Sequence, residues 1–411
     1  MLTKAMPATP GSIAANSFRN CTFRANPDYE FVLLDQLPTE EQKMLSDLRG
    51  DPDFYGLLRP CLKAGLTTKA VSREVAHLVS ILEVPGPLPT FVRSDPEAEL
   101  TIIRLVCDEI LQVASGTEWI CGPAAWQPSY SVKDEKGGGL LVELSLQALR
   151  HAELLDCIDA EELSALLYRY NTLPLTPQWL RRIPDGTALE EYLQIEIGGG
   201  SRRDLDLGWT RVSAGSESSW LAWNSRTTQR PQSNRAGYKL YLSPLPVHLR
   251  EAFRAWLPAI AAAGAYHFKI GSSVRGLLRP DKAVAYFDNL ADLKEAAVRI
   301  TSRLLGCPAQ GVPFTAELDC GSLISWGSDP PMEQAVPVWL RRQSWRQWIC
   351  NRLGGALAVA KRQKAERQDM EGMAACRFAL ERLRLEGVDV STWAPIATGG
   401  RTKPMAGGLI S

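Results

Sequence analysis

Tyr238-Lys239-Leu240-Tyr241-Leu242-Ser243, Tyr266-His267-Phe268-Lys269-Ile270 and Lys282-Ala283-Val284-Ala285-Tyr286-Phe287 are three short, strand-like runs that set lysines, tyrosines and a histidine on alternating positions. A strand turns successive side chains to opposite faces. Lys239, Tyr241 and Ser243 therefore share one face, and Tyr238, Leu240 and Leu242 the other. By the same rule His267 and Lys269 share a face, opposite Tyr266, Phe268 and Ile270. If the runs are sheet neighbours, their polar faces converge on a basic pocket with proton donors and acceptors, suited to an anion on which acid–base chemistry is done. The same alternation also describes the wet side of an ordinary half-buried sheet.

Helical patterns surround these runs. Residues 247–263 separate the first two and carry Phe253, Trp256, Leu257 and Ile260, and residues 290–305 follow the third. Helices are also expected over 141–155, 160–170 and 345–382. Residues 193–223, with Gly198-Gly199-Gly200 and many Ser and Thr, have the texture of strands and loops. Residues 311–331 read as a Gly/Pro/Ser-rich loop. Nearer the N-terminus, Thr39-Glu40-Glu41-Gln42 has the form of a capping box, and helices are expected over 68–82 and 98–114. Helices lead and a mixed region follows, which predicts an α+β fold. The expected division is a loose leader over 1–28, a helical module over 29–135, a mixed strand–helix domain over 136–390 and a flexible tail over 391–411.

The 411 residues carry 46 basic and 46 acidic side chains, so net charge argues for neither nucleic acid nor a membrane surface. Anion binding must rest on a local cluster. Nine scattered cysteines without a C-x-x-C pair, and four histidines, disfavour a disulfide framework or structural zinc. No apolar run approaches membrane-spanning length, and the cytoplasm is the expected compartment. Phosphate-loop, dinucleotide, zinc-protease and serine-hydrolase motifs are all missing. The expected chemistry uses no metal and no cofactor.

A lysine serves as a base only when burial or neighbouring cations lower its pKa from about 10.4 toward the working pH. Lys269 and Lys239 are the candidates. His267 is either a hydrogen-bonded structural residue or a catalytic one. Tyr241 and Tyr286 suit proton donation, orientation of phosphate oxygens, or simple packing. Arg275, Arg279, Arg341, Arg342, Arg346 and Arg352 form a candidate phosphate clamp, because the guanidinium fork matches a phosphate bidentately.

On these residues the chain resembles the phosphothreonine-lyase-like proteins, met as type III secretion effectors and as the lyase component of lanthipeptide and thioamitide dehydratases. The resemblance spans about residues 140–385. It rests on Leu-Tyr-Arg-Tyr-Asn at 167–171, Tyr-Lys-Leu-Tyr-Leu-Ser-Pro at 238–244, His-Phe-Lys-Ile at 267–270 and Leu-Leu-Arg-Pro-Asp-Lys at 277–282. Gly-Val-Pro-Phe-Thr at 311–315, Ser-Trp-Gly-Ser-Asp-Pro-Pro at 325–331 and Ser-Trp-Arg-Gln-Trp at 344–348 add to it.

The resemblance implies β-elimination of phosphate from phosphoserine or phosphothreonine, leaving a dehydroamino acid. It implies Lys269 as the base, Lys239 on the phosphate, and Arg279 and Tyr286 as the next pair. Arg346 and Arg352 stand for the family's later arginines. Tyr241 occupies the position of the family's acid histidine, so the acid is Tyr241 or His267, or elimination is impaired. The implied partners are a phosphorylated precursor peptide and a separate Ser/Thr kinase. A non-catalytic phosphopeptide- or leader-binding subunit, and a secreted effector acting on a host phosphoprotein, are the alternatives.

Overall fold

The structure is a computed structural model, and it describes residues 21–46, 54–61, 66–94, 98–125, 139–213, 219–229, 237–319, 321–330, 343–367, 374–396 and 407–409. Its first part is built from β1 (Thr22–Ala25), β2 (Tyr29–Leu33), β3 (Gly56–Pro60), β4 (Lys69–Val71), α1 (Arg73–Ile81), β5 (Gly86–Pro87), α2 (Ala98–Cys107), β6 (Leu111–Ser115) and β7 (Glu118–Ile120). The strands form two antiparallel sheets, one ordered β5-β1-β6-β7 and one in which β4, β3 and β2 are neighbours.

Several expectations are corrected here. Residues 29–120 carry six strands besides their helices, so this region is not purely helical. Strand β1 lies inside the expected leader and pairs with β6. The helix expected over 68–82 starts only at Arg73, because the Ser72 hydroxyl accepts the Val75 N–H and caps it. Residues 69–71 pair with β3 instead. The helix expected over 98–114 ends at Cys107; Glu109 turns left-handed at φ 61°, and β6 begins at Leu111. Thr39 is the first helical residue after Pro38, not a capping residue.

The second part runs α3 (Leu140–Leu154), α4 (Ala160–Arg169), α5 (Gly186–Leu193), β8 (Trp209–Arg211), β9 (Trp220–Ser225) and β10 (Tyr238–Leu242). It continues with α6 (Leu249–Ala262), β11 (His267–Gly271), β12 (Ala283–Phe287), α7 (Leu290–Arg303), β13 (Ala316–Glu317) and β14 (Ile324–Ser328). Then follow α8 (Trp345–Glu366), α9 (Ala375–Leu385), β15 (Val388–Asp389), β16 (Ala394–Pro395) and β17 (Gly407–Leu409), the last pairing with β4. The expected loop over 311–331 thus contains β13 and β14. Residues of the expected flexible tail form β16, bury Trp393 and form β17. The fold is α+β.

Seven strands, ordered β13-β14-β10-β12-β11-β9-β8, make the central sheet, every pair antiparallel. One of its faces is apolar: Leu240, Ala285, Phe268 and Trp223 lie across it in register. Helices α5, α6 and α7 contribute residues to the core that covers this face. Phe268 is its centre, stacked on Trp223 at 4.8 Å and edge-on to Trp209 at 4.6 Å. A second core joins α3, α4, α8 and α9 through Leu149, Leu163, Leu353, Leu357 and Phe378. Helices α4 and α8 cross so closely at Gly354 that an added Cβ would lie 2.7 Å from the Ser164 nitrogen. Among the described residues no helix is long and apolar enough to cross a membrane.

Candidate active site

The polar side chains gather on the other face of the central sheet. Tyr286 stands opposite Lys239 on one side and His267 on the other, while Val284 stands between Tyr241 and Lys269. Period-two alternation on three neighbouring strands thus brings Lys239, Tyr241, His267, Lys269 and Tyr286 to a single face. Lys282 precedes β12 on this same face.

The Lys269 ammonium makes no hydrogen bond or ion pair with the described residues. It lies instead over the Trp220 ring at 4.3 Å and the Tyr286 ring at 5.8 Å. Burial, reinforced by the charges of Lys239 and Arg279 and opposed by Asp281, brings its pKa down to about 8. Lys239 is buried and pairs with Asp329, whose carboxylate also accepts the Gly237 N–H at 2.9 Å.

Arg279 is held by a buried carboxylate. Its Nε and Nη2 donate to the two oxygens of Asp281, each at 2.9 Å, and Nη2 also donates to the Tyr168 hydroxyl at 3.0 Å. The Tyr168 hydroxyl in turn donates to Asp281 at 3.0 Å. Burial alone would raise the pKa of Asp281, but Arg346 and Arg279 hold it down at about 2.

Arg346, fully buried on α8, donates from Nε to the Pro313 carbonyl at 3.1 Å and from Nη2 to the Tyr168 carbonyl at 2.5 Å. Its Nη1 lies 3.1 Å from Asp281, within ion-pair distance but not aligned as a hydrogen bond. These contacts make Arg346 a support for Asp281. Of the two arginines expected in a phosphate clamp, Arg346 is turned to protein oxygens, and Arg279 keeps Nη1 without a partner among the described residues.

Cations and rings alternate through the cluster. Lys239 is 5.9 Å from the Tyr286 ring, which also faces Lys269; Trp220 lies between Lys269 and Arg279, 5.0 Å from the latter. Tyr168 lies between Arg279, at 5.6 Å, and Arg346, at 4.5 Å. An aromatic face attracts each of these cations.

The Tyr241 hydroxyl is buried without a hydrogen-bond partner among the described residues. Burial first, then the charges of Tyr286, Asp281 and Tyr168, push its pKa well up and keep it a neutral O–H. His267 Nδ1 lies 2.8 Å from Asn224 Oδ1, and its ring meets Tyr286 edge-on at 5.1 Å. Arg352 belongs elsewhere, over the Trp348 ring at 5.8 Å and beside Glu386, which it helps to hold ionised. Arg275 is exposed on the short helix Val274–Leu277. Arg341 and Arg342 lie outside the described residues.

Sequence reasoning missed Tyr168, Trp220, Asp281 and Asp329 as members of the cluster, and gave Lys282, which opens the third run, no role. Lys282 is fully buried, donates to the Pro244 carbonyl at 2.9 Å and the Gln310 amide oxygen at 2.5 Å, and is brought down to about 7 by burial. Asp281 and Lys282 directly follow Arg279-Pro280, so adjacency was a usable signal. Trp220 gave none, because only the register of β9 against β11 puts it beside Lys269.

No family model and no curated protein matches the sequence. Among solved structures, the effector protein from Pseudomonas syringae pv. tomato strain DC3000 is 12% identical over 62% of this chain and 98% of its own, with a TM-score of 0.37. A phosphothreonine lyase solved for its catalytic mechanism is 13% identical over 51% of this chain and 98% of its own, at 0.28. The type III effector and phosphothreonine lyase OspF from Shigella flexneri is 14% identical over 29% and 69%, at 0.25. Likeness at this level assigns neither a family nor an activity to the chain.

Proposed function

We propose that the chain is a carbon–oxygen lyase that eliminates phosphate from phosphoserine or phosphothreonine in a peptide. One observation carries this reading. Besides Lys282, which is turned to the Pro244 carbonyl and Gln310, four cations, Lys239, Lys269, Arg279 and Arg346, meet two carboxylates among the described residues, Asp281 and Asp329, around a lysine brought near neutrality. With Lys269 as the neutral amine, Lys239, Arg279 and Arg346 still exceed the two carboxylates by one positive charge, an excess that attracts a phosphoryl anion.

In this mechanism the neutral amine of Lys269 takes the Cα proton. The released electron pair forms the Cα=Cβ double bond, the Cβ–O bond breaks, and phosphate leaves with its pair. Lys239 has three N–H donors and one hydrogen-bond partner among the described residues, Asp329, and Arg279 Nη1 has no partner among the described residues. These donors, with the neutral Tyr241 hydroxyl, take the phosphate charge as it develops. His267 protonates the leaving oxygen. Asn224 fixes its ring, whereas burial makes Tyr241 hold its proton too tightly.

By the same reading a separate kinase installs the phosphate on a precursor peptide in the cytoplasm, and the dehydroamino acid product serves peptide maturation. A non-catalytic phosphopeptide-binding subunit is the second reading. It draws on Asp281 and Asp329 already occupying Arg279 and Lys239.

The test gives the protein a phosphoserine peptide and follows loss of phosphoric acid by mass spectrometry. Wild type eliminates. Lys269→Ala loses roughly 100-fold or more, the usual contribution of a positioned base, and His267→Ala loses more than Tyr241→Phe. Full activity in Lys269→Ala sinks the base assignment. Binding without elimination in wild type selects the second reading. Because Lys269 acts as the neutral amine and His267 as the protonated acid, kcat/KM follows a bell: it rises with pH as Lys269 loses its proton, toward about 8, and falls where His267 loses its own.

A further inference from the structure

Trp220 belongs to none of the sequence motifs, yet its ring is the nearer of the two over Lys269 and is shared with Arg279. It opens β9 directly opposite Gly271. A Cβ on Gly271 would lie 2.6 Å from the Gly276 backbone, so the chain folds back tightly there and returns Arg279 to the indole.

We infer that Trp220 is the positioning residue that makes Lys269 a base, its indole walling the amine off from water and standing between it and Arg279. The inference rests on the proposed elimination, with Lys269 as its base.

Two effects of the ring oppose one another. An aromatic face attracts a cation and favours the protonated amine; exclusion of water favours the neutral one. The other groups around Lys269 are Lys239 and Tyr241 from β10, Tyr286 from β12, His267 on its own strand, and Arg279 and Asp281 from the turn before β12. Tyr168 and Arg346, from the helices, reach it through Arg279 and Asp281. Asp281 favours the charged form, and Lys239 and Arg279 the neutral one. Burial is the largest influence and the net shift is downward. On this inference the indole, 4.3 Å from the amine, acts chiefly as part of that burial.

The experiment is an NMR titration of the full chain carrying 13C-labelled lysine, with the Lys269 signal assigned by its loss in Lys269→Ala. Trp220→Ala and Trp220→Gln raise the Lys269 midpoint by about one unit or more, since both let water approach. Gln keeps much of the side-chain volume and serves where the Ala variant does not fold. Trp220→Phe keeps the midpoint close to that of wild type. The pH profile of elimination moves with the midpoint, and activity at pH 7 falls about tenfold in Trp220→Gln, in step with the neutral fraction. An unmoved midpoint in Trp220→Gln overturns the inference, as does a Phe variant that titrates like the Gln variant. Midpoints that move as expected in a protein that never eliminates phosphate overturn the lyase reading and leave the shielding role standing.

Discussion

Asp281 holds two arginines and a tyrosine with a single carboxylate, and this makes it the most exacting residue of the site. Its replacement by Asn removes the charge that Arg346 and Arg279 face in a buried setting, at an expected cost of about 3–5 kcal/mol. The pH dependence follows from the direction of its shift. The folded-state pKa, about 2, lies below the unfolded value, so the stabilisation is present above the unfolded value and is lost as pH falls toward 2. Thermal melts of wild type therefore lose stability on acidification through that window. Asp281→Asn melts lower at neutral pH and varies less across it; an equally steep acid limb in the variant would place the responsible carboxylate elsewhere. The sequence exposed Lys239, Lys269, Tyr241, His267 and Tyr286 because strand parity is a local property. It hid Trp220 and Tyr168, whose positions depend on register and on the docking of α4.

Strand β12 lies between β10 and β11, and the turn before it delivers Arg279 and Asp281. The turn depends on the close approach of Gly271 and Gly276, which leaves no room for a side chain at either position. Gly271→Ala is expected to cost about 1–3 kcal/mol through overpacking and to reduce elimination more than it lowers the melting temperature, because it displaces Arg279. Activity equal to wild type in a folded Gly271→Ala protein would show that the turn does not set the site. Strands β10, β11 and β12 were legible because bulky apolar residues alternate with polar ones. Strand β14 was not: Ile324-Ser-Trp-Gly-Ser328 has a loop composition, and its extended form comes from pairing with β10. Gly327 there leaves room for the Trp345 ring of α8, 2.6 Å from where a Cβ would stand.

Across the whole molecule, buried ion pairs tie the first part to the last helices. Glu109 pairs with Arg362 and accepts from Gln363 at 2.7 Å, Arg382 binds Asp108 at 2.7 Å, and Arg104 donates to the Leu385 carbonyl at 3.0 Å. Arg362→Ala strands Glu109 in a buried position and should cost about 3–5 kcal/mol by chemical denaturation; a loss below 1 kcal/mol would mean that Gln363 alone satisfies the carboxylate. No pattern within residues 98–114 announced this junction, because Asp108 and Glu109 acquire partners more than 250 residues away. The cluster around Lys269 is just as dispersed, drawing on Tyr168 near one end and Arg346 near the other. Contacts of such sequence separation carry a loop-closure cost that must be met before they form. The amine is depressed only when the surrounding rings have closed over it, so a partly folded chain carries Lys269 as an ordinary ammonium. On the proposed elimination, reactivity is in that sense a certificate of completed folding: a chain caught midway would hold its lysines charged and lack a base.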